Sequence, residues 1–187
     1  MQSLLKNKVI LKSLPALVRL SLLIALLLSN FYSVAQTKTK KEIVIEEAEY
    51  LIYKQSVAQN VQRLLNNVKL SHQNMVMYCD SAWFYAASNS VDAFGKVHII
   101  SNDTLNMYSD FINYRGNDGI AKAIGNVKLK DPKLTLTTDT LDFDTKTEVG
   151  YYESGGMIVD SANVLTSKIG RYYSQRNELF FKDSVKL

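Results

Sequence analysis

Four acidic residues recur at near-constant spacing: Glu49, Asp80, Asp110 and Asp139, with Lys168 in the fifth place. The differences are 31, 30, 29 and 29. A row of carboxylates suggests oxygen ligands for a hard cation such as calcium, or general acid/base chemistry. An active site needs such a group once, yet every copy here carries one. The local reading is favoured: each acid accepts backbone N–H bonds at a bend of its own strand. His72 and His98 are the only histidines and have no partner at ligand spacing, so no zinc centre is expected. There is no Gly-x-Ser-x-Gly, and no Ser/His/Asp set can be nominated. Cys79 is the single cysteine and sits among Met75, Met77 and Ala82. It reads as a small buried filler, with no internal disulfide available. Lys69, Lys128 and Lys186 lie on outward positions and read as a solvated face, with contact to anionic lipid headgroups as the functional alternative. No catalytic residue, metal ligand or cofactor is therefore expected.

The elements that carry these residues are repeats. The aromatic four places after the acid recurs as Tyr53, Phe84, Tyr114, Phe143 and Tyr172. A second marker, the aliphatic in Gly-x-Val, recurs as Val68, Val97, Val127, Ile158 and Val185, with differences 29, 30, 31 and 27. Two independent markers share one period, which is the signature of a repeat architecture. Within each period the alternation is two-fold and so predicts strands. Val91, Ala93, Gly95, Val97 and Ile99 share one face, as do Ala121, Ala123, Gly125, Val127 and Leu129. Turn-forming residues follow at 71–74, 101–104, 130–133 and 160–163, and again at 115–119, 144–147 and 174–177. In the next strand the phase flips at the acid. Leu134 and Leu136 give way to Leu141 and Phe143, Leu105 and Met107 to Ile112 and Tyr114, and Met75 and Met77 to Ala82 and Phe84. A phase change needs an extra residue, a bulge or a bend, so a corner is predicted at Asp80, Asp110 and Asp139. Residues 56–68 also fit a helical spacing, but Val68 belongs to the repeat and the segment is read as strand. Val185-Lys186-Leu187 begins another copy, which implies either an open edge or the start of a longer polypeptide.

The N-terminal segment stands apart. Lys6, Lys8, Lys12 and Arg19 precede an apolar run from Leu20 to Leu28, and Ser33-Val34-Ala35 places small residues before Gln36. This pattern predicts a secretory signal peptide over 1–35, cleaved after Ala35. Residues 36–42 read as a flexible lead-in and 43–187 as the folded domain. All 18 Asp and Glu follow residue 35, whereas four of the 22 Lys and Arg precede it. The remainder carries 18 charges of each sign and is neutral. Nucleic-acid binding, which rests on excess positive charge, loses its support.

Each period is one bent unit with one apolar face, and only stacking of copies buries that face. The predicted fold class is all-β: an open-ended, bent β-jelly roll built from repeats of about 30 residues, with a β-solenoid as the alternative. Open sheets have edges, and an exposed edge either aggregates or is used for strand addition. The interior, with Met75, Met77, Met107 and several aromatics, is either a tight core or an adaptable channel for acyl chains. Of the two, the stripe alone favours core.

The order Gly-Asn-Val-x-Leu, then Thr-x-Asp-x-Leu-x-Phe-Asp, then a polar turn and Ala-x-Gly resembles the OstA-like (LptA-type) repeat of lipopolysaccharide-transport proteins. Residues 121–144 match best, and the pattern covers roughly 43–187. Lys168 and Gly170 depart from it in the last copy, and Asn66 stands for glycine in the first. The resemblance implies a non-catalytic periplasmic β-jelly roll that binds the lipid A portion of lipopolysaccharide in its apolar interior. It also implies end-to-end strand pairing with other jelly-roll proteins of a bridge between inner and outer membranes, with self-association possible. The lipid-lining residues would be Val97, Ile99, Met107, Ile112, Tyr114, Val127, Leu129, Leu136, Leu141 and Phe143. The rival readings are a structural or adhesive β-solenoid with a dry core and a carbohydrate-active parallel β-helix. The latter would need more coils and a clustered acid/base pair.

Overall fold

A computed structural model describes residues 42–56 and 59–187; the expected signal peptide and nearly all of the lead-in lie outside them. Thirteen strands among the described residues form one antiparallel sheet. They are β1 (Val44–Glu47), β2 (Tyr50–Ser56), β3 (Gln59–His72), β4 (Met75–Tyr85), β5 (Ser90–Ser101), β6 (Leu105–Arg115) and β7 (Ile120–Lys130). Then follow β8 (Thr135–Asp144), β9 (Val149–Tyr152), β10 (Gly156–Val159), β11 (Val164–Ser167), β12 (Ile169–Tyr173) and β13 (Glu178–Lys182). The segment that also fitted a helix is strand from Gln59 onward, where it joins β3.

From β3 to β8 each strand pairs with its sequence neighbours as an antiparallel meander. The outer members are broken in two. β1 pairs with one half of β3 (Ile45 opposite Leu70) and β2 with the other half (Leu51 opposite Leu64). At the far end β8 pairs with β10 through Thr135–Thr138 and with β9 through Asp142–Asp144. Every long strand therefore spans two layers. The first layer holds 68–72, 75–79, 97–101, 105–109, 127–130 and 135–138. The second holds 59–65, 81–85, 90–94, 111–115, 120–124 and 140–144. A meander with this register is not a stack of parallel coils.

The change of layer occurs at a register shift in each pair. Leu65 faces Ser81 but Val68 faces Cys79. Phe94 faces Phe111 but Val97 faces Ser109, and Ile124 faces Thr140 but Val127 faces Thr138. Two residues on β3, β5 and β7 thus oppose the single acid on β4, β6 and β8, which is a β-bulge. The bulged pairs are Asn66-Asn67, Gly95-Lys96 and Gly125-Asn126, all at positive φ between 45° and 79°.

This refines the sequence reading of the corner. Burial does change phase at Asp80, Asp110 and Asp139, as expected. The extra residue, however, sits in the neighbouring strand. Successive left-handed residues favour Gly and Asn, which carry no side chain or a locally bonding one, and those residues lie on the Gly-x-Val strand. The bonding of the acids also differs from expectation. Asp110 Oδ2 accepts from the Asn126 side-chain amide at 2.8 Å, and Glu49 accepts from the amides of Asn66 and Asn67. Their partners are side chains across the strand pair rather than backbone at their own bend.

One consequence is measurable. A Cβ added at Gly125 (φ +79°) would lie 2.6 Å from Asp110 Oδ2. Gly125→Ala is expected to cost about 2 kcal/mol, chiefly through left-handed backbone strain. Asn66→Gly, at the corresponding place in the first copy, is expected to change stability by less than about 1 kcal/mol. Urea midpoints of the two variants check this.

Candidate functional site

The inner faces of the two layers enclose a single apolar slab. All ten residues expected to line it are buried there: Val97, Ile99, Met107, Ile112, Tyr114, Val127, Leu129, Leu136, Leu141 and Phe143. None is more than 1% exposed. They alternate with solvent-facing neighbours such as Lys122, Asn126 and Lys128, because successive strand side chains point to opposite faces. The slab is a packed core, as the stripe alone favours.

The buried polar residues lie at the margins of the slab: Ser109, Thr138 and Ser167 at the bend, His72, Asn89 and Ser101 at the strand tips. At the bend the Ser109 and Ser167 hydroxyls donate to the carbonyl two residues on, Phe111 at 3.2 Å and Ile169 at 2.9 Å, while Thr138 Oγ1, 3.3 Å from the Thr140 carbonyl, donates to the nearer Gly155 carbonyl at 2.7 Å. Cys79 occupies the same place in the first copy. Burial pushes its thiol up to about 11, so it stays protonated at neutral pH, as an inert filler should. Sequence reading overlooked this row, although its spacing of 30, 29 and 29 residues is in the chain.

The end copy is packed by a different device. Gly170 stands where Ala82, Ile112 and Leu141 stand elsewhere. The ring of Tyr152 fills the space: a Cβ at Gly170 would come within 2.4 Å of it and one at Gly156 within 2.6 Å. The Tyr152 hydroxyl is 2.7 Å from Ser167 Oγ.

At the tips the two layers meet through side chains. His72 Nδ1 lies 2.6 Å from the Tyr114 hydroxyl, the Asn102 amide meets Glu148 and the Tyr172 hydroxyl donates to Asp131. Burial first and the Asp131 carboxylate next hold the Tyr172 hydroxyl well above the ordinary phenol range, so it remains a donor. The separations along the chain are 42, 46 and 41 residues, about one and a half repeats. No spacing rule for adjacent strands would have found them.

Exposed apolar residues continue the slab at both ends of the described sheet. On β2, whose one partner strand among the described residues is β3, Leu51 and Tyr53 continue the inner face yet remain about half exposed, and Tyr50 and Ile52 are exposed on the other face. At the opposite end Leu179 and Phe181 lie against the core half-buried, with Phe180, Val185 and Leu187 exposed beside them. Among the described residues no group of His, Cys, Asp and Glu could hold a metal ion, and no helix is long and apolar enough to cross a membrane.

Comparison with known proteins agrees with this architecture. Among solved structures the fold is similar to LptH, described as the LptA homologous periplasmic component of the conserved lipopolysaccharide transport device of Pseudomonas aeruginosa. That similarity has a TM-score of 0.53 at 13% identity, over 60% of this chain and 82% of LptH; at that identity it speaks for the fold alone. A search of curated proteins returns no match. The sequence profile of the family described as OstA-like protein matches residues 40–187. With its repeats, its open bent sheet and that match, the chain belongs to the OstA-like protein family.

Proposed function

We propose that the protein is a non-catalytic, periplasmic lipopolysaccharide carrier. Its inner face would shield the acyl chains of lipid A, and its edge strands would pair with other jelly-roll proteins or with further copies of itself, bridging the inner and outer membranes. The observation that carries this reading is the apolar slab, which runs through every repeat and continues into exposed apolar residues on the outermost described strands. Open edges with exposed apolar residues are suited to strand addition, and stacking a second jelly roll there would prolong the slab. Residues with fully apolar, unbranched or aromatic side chains, Met77, Met107 and Phe143 among them, can repack around a flexible ligand. Family membership and the fold shared with LptH support the same assignment.

A dry structural core is the competing reading, favoured by the burial of all ten lining residues. Photo-crosslinking separates the two. A photoreactive amino acid at Met107 or Leu141 is expected to capture lipopolysaccharide in living cells, while one at outward-facing Lys128 is not. A folded protein that captures none from either inner position would establish the dry core instead.

A further inference from the structure

We infer that the outer face of the first layer binds an acidic glycan: a hydroxyl-rich chain with widely spaced carboxylates or phosphates, separate from any lipid held inside. The inference goes beyond the carrier reading and does not depend on it.

Cross-strand register builds this face. Lys69, Tyr78, His98, Tyr108 and Lys128 stand opposite one another in turn on β3 to β7. Thr137, Met157 and Thr166 carry the same row over β8, β10 and β11 to Lys186. From Lys69 to Met157 each sits beside a buried residue of the slab and so points the other way. Lysines 59 and 58 residues apart in the chain thereby fall into one line. Each interval crosses four strands, roughly 19 Å at the usual strand spacing. The rings of Tyr78 and His98 stack at 6.0 Å and those of His98 and Tyr108 at 4.3 Å. Lys69 Nζ lies 6.0 Å from the Tyr78 ring. With their faces so covered, the two tyrosines present ring edges and hydroxyls to solvent, and each is 39% exposed.

Nothing in the protein answers the positive charge of this face. Between the acids of the bend and those of the strand tips, the outward positions of the first layer carry no Asp or Glu from β3 to β11. Glu47 on β1 lies opposite Lys69, but the ion pairs among the described residues are Arg115–Asp118 and Arg176–Glu178. Lys69, Lys128, Lys130 and Lys186 are therefore unpaired. The corresponding row on the second layer is self-compensated. Asp92 accepts from Asn113 at 2.7 Å and Lys122 faces Asp142. Arg63 and Arg171 lie over the rings of Trp83 and Tyr151, each at 5.2 Å.

The spacing selects the ligand. Duplex nucleic acid carries a charge roughly every 1.7 Å, and anionic bilayers are recognised by clusters of about four to eight cations. Both call for denser positive charge than one lysine per four strands. Hydroxyls of Tyr78, Tyr108, Thr137 and Thr166 occupy the intervals instead, and these both donate and accept. An acidic glycan offers the complement: hydroxyls throughout and an anion at intervals. Single exposed charge contacts are weak, but repeated contacts along one polymer reinforce each other.

Fluorescein-labelled oligogalacturonate, followed by anisotropy, is the test probe. A maltooligosaccharide and an oligoglutamate of the same length carry the same label, and phosphatidylglycerol vesicles are used in sedimentation. Oligogalacturonate is expected to bind best, with affinity falling as ionic strength rises. Lys69→Gln/Lys128→Gln/Lys186→Gln is expected to lower that affinity at least about tenfold, for three lost charge contacts. Arg63→Gln/Lys122→Gln/Arg171→Gln makes the same change in net charge on the other layer and is expected to alter it less than about twofold. Far-UV circular dichroism checks that both are folded, and Lys128→Gln alone, expected to weaken binding about twofold, serves as the mildest variant. No binding of oligogalacturonate, or equal losses from the two triple variants, would overturn the inference. Equal affinity for the maltooligosaccharide would remove the role of charge, and equal or tighter binding of oligoglutamate or vesicles would replace the glycan by an acidic peptide or a membrane; either result overturns it too. The carrier reading is decided separately, by crosslinking from Met107 and Leu141.

Discussion

Leu129→Asp is expected to abolish folding, whereas Lys128→Asp, one residue earlier on the same strand, is expected to leave stability within about 0.5 kcal/mol, as for an ordinary surface change. Leu129 is completely buried in the slab and faces Met107 and Leu136 on its neighbouring strands. A carboxylate there has no cation and no row of donors to meet; the polar residues of the interior lie at the bend and the tips, not in the slab's centre. Leaving a charge buried without a partner costs about 3–5 kcal/mol, to which the lost apolar burial of a leucine adds about 2–3 kcal/mol. Together these reach the whole stability of an ordinary domain. Far-UV circular dichroism and urea unfolding of the two variants provide the measurement. Comparable damage from both would mean that the inward and outward faces have been assigned wrongly.

Tyr152→Ala and Gly170→Leu are each expected to destabilise the protein strongly when made alone, and to compensate when combined. Removing the buried tyrosine leaves a cavity and takes one hydrogen-bond partner from Ser167, which keeps its bond to the Ile169 carbonyl, at a cost of about 3–5 kcal/mol. Adding a side chain at Gly170 drives its Cβ to within 2.4 Å of the Tyr152 ring, and overpacking of this kind costs about 1–3 kcal/mol or more. The double variant places leucine where the third copy has Leu141, and clears the ring that obstructs it. Its loss should be at least about 2 kcal/mol smaller than the sum of the single losses, a coupling within the range for residues in contact. Urea denaturation of the four proteins in the cycle measures it, and additive losses would mean that the ring and the glycine do not share one space.

The repeat was legible because its marks are local. Alternation at period two, the acid, and the Gly-Asn pair each answer to a backbone demand that a few residues settle among themselves. The core residues from Val97 to Phe143 follow from that alternation alone. The bulge was half legible. The phase flip placed the corner correctly, but not the extra residue, since a phase flip in one strand is satisfied equally by an insertion in its partner. The polar row at Cys79, Ser109, Thr138 and Ser167 kept the period and was missed because small polar residues on an inward position look like imperfections of an apolar stripe.

What the sequence determined by itself, then, is the unit: two strand halves, a corner, two turns and one apolar face, repeated at about 30 residues. Those properties depend on neighbouring dihedrals and on which side chains avoid water. Only the tertiary structure decided how the units close. The pairing of tips at separations of 41, 42 and 46 residues depends on how far the bulges swing one layer over the other and how the sheet twists across several strands. So does the slot that Gly156 and Gly170 leave for Tyr152. These are sums of many small rotations, and no single residue records them. They decide whether the apolar face is an accessible groove or an interior closed along its strand tips by side chains such as His72 and Tyr114.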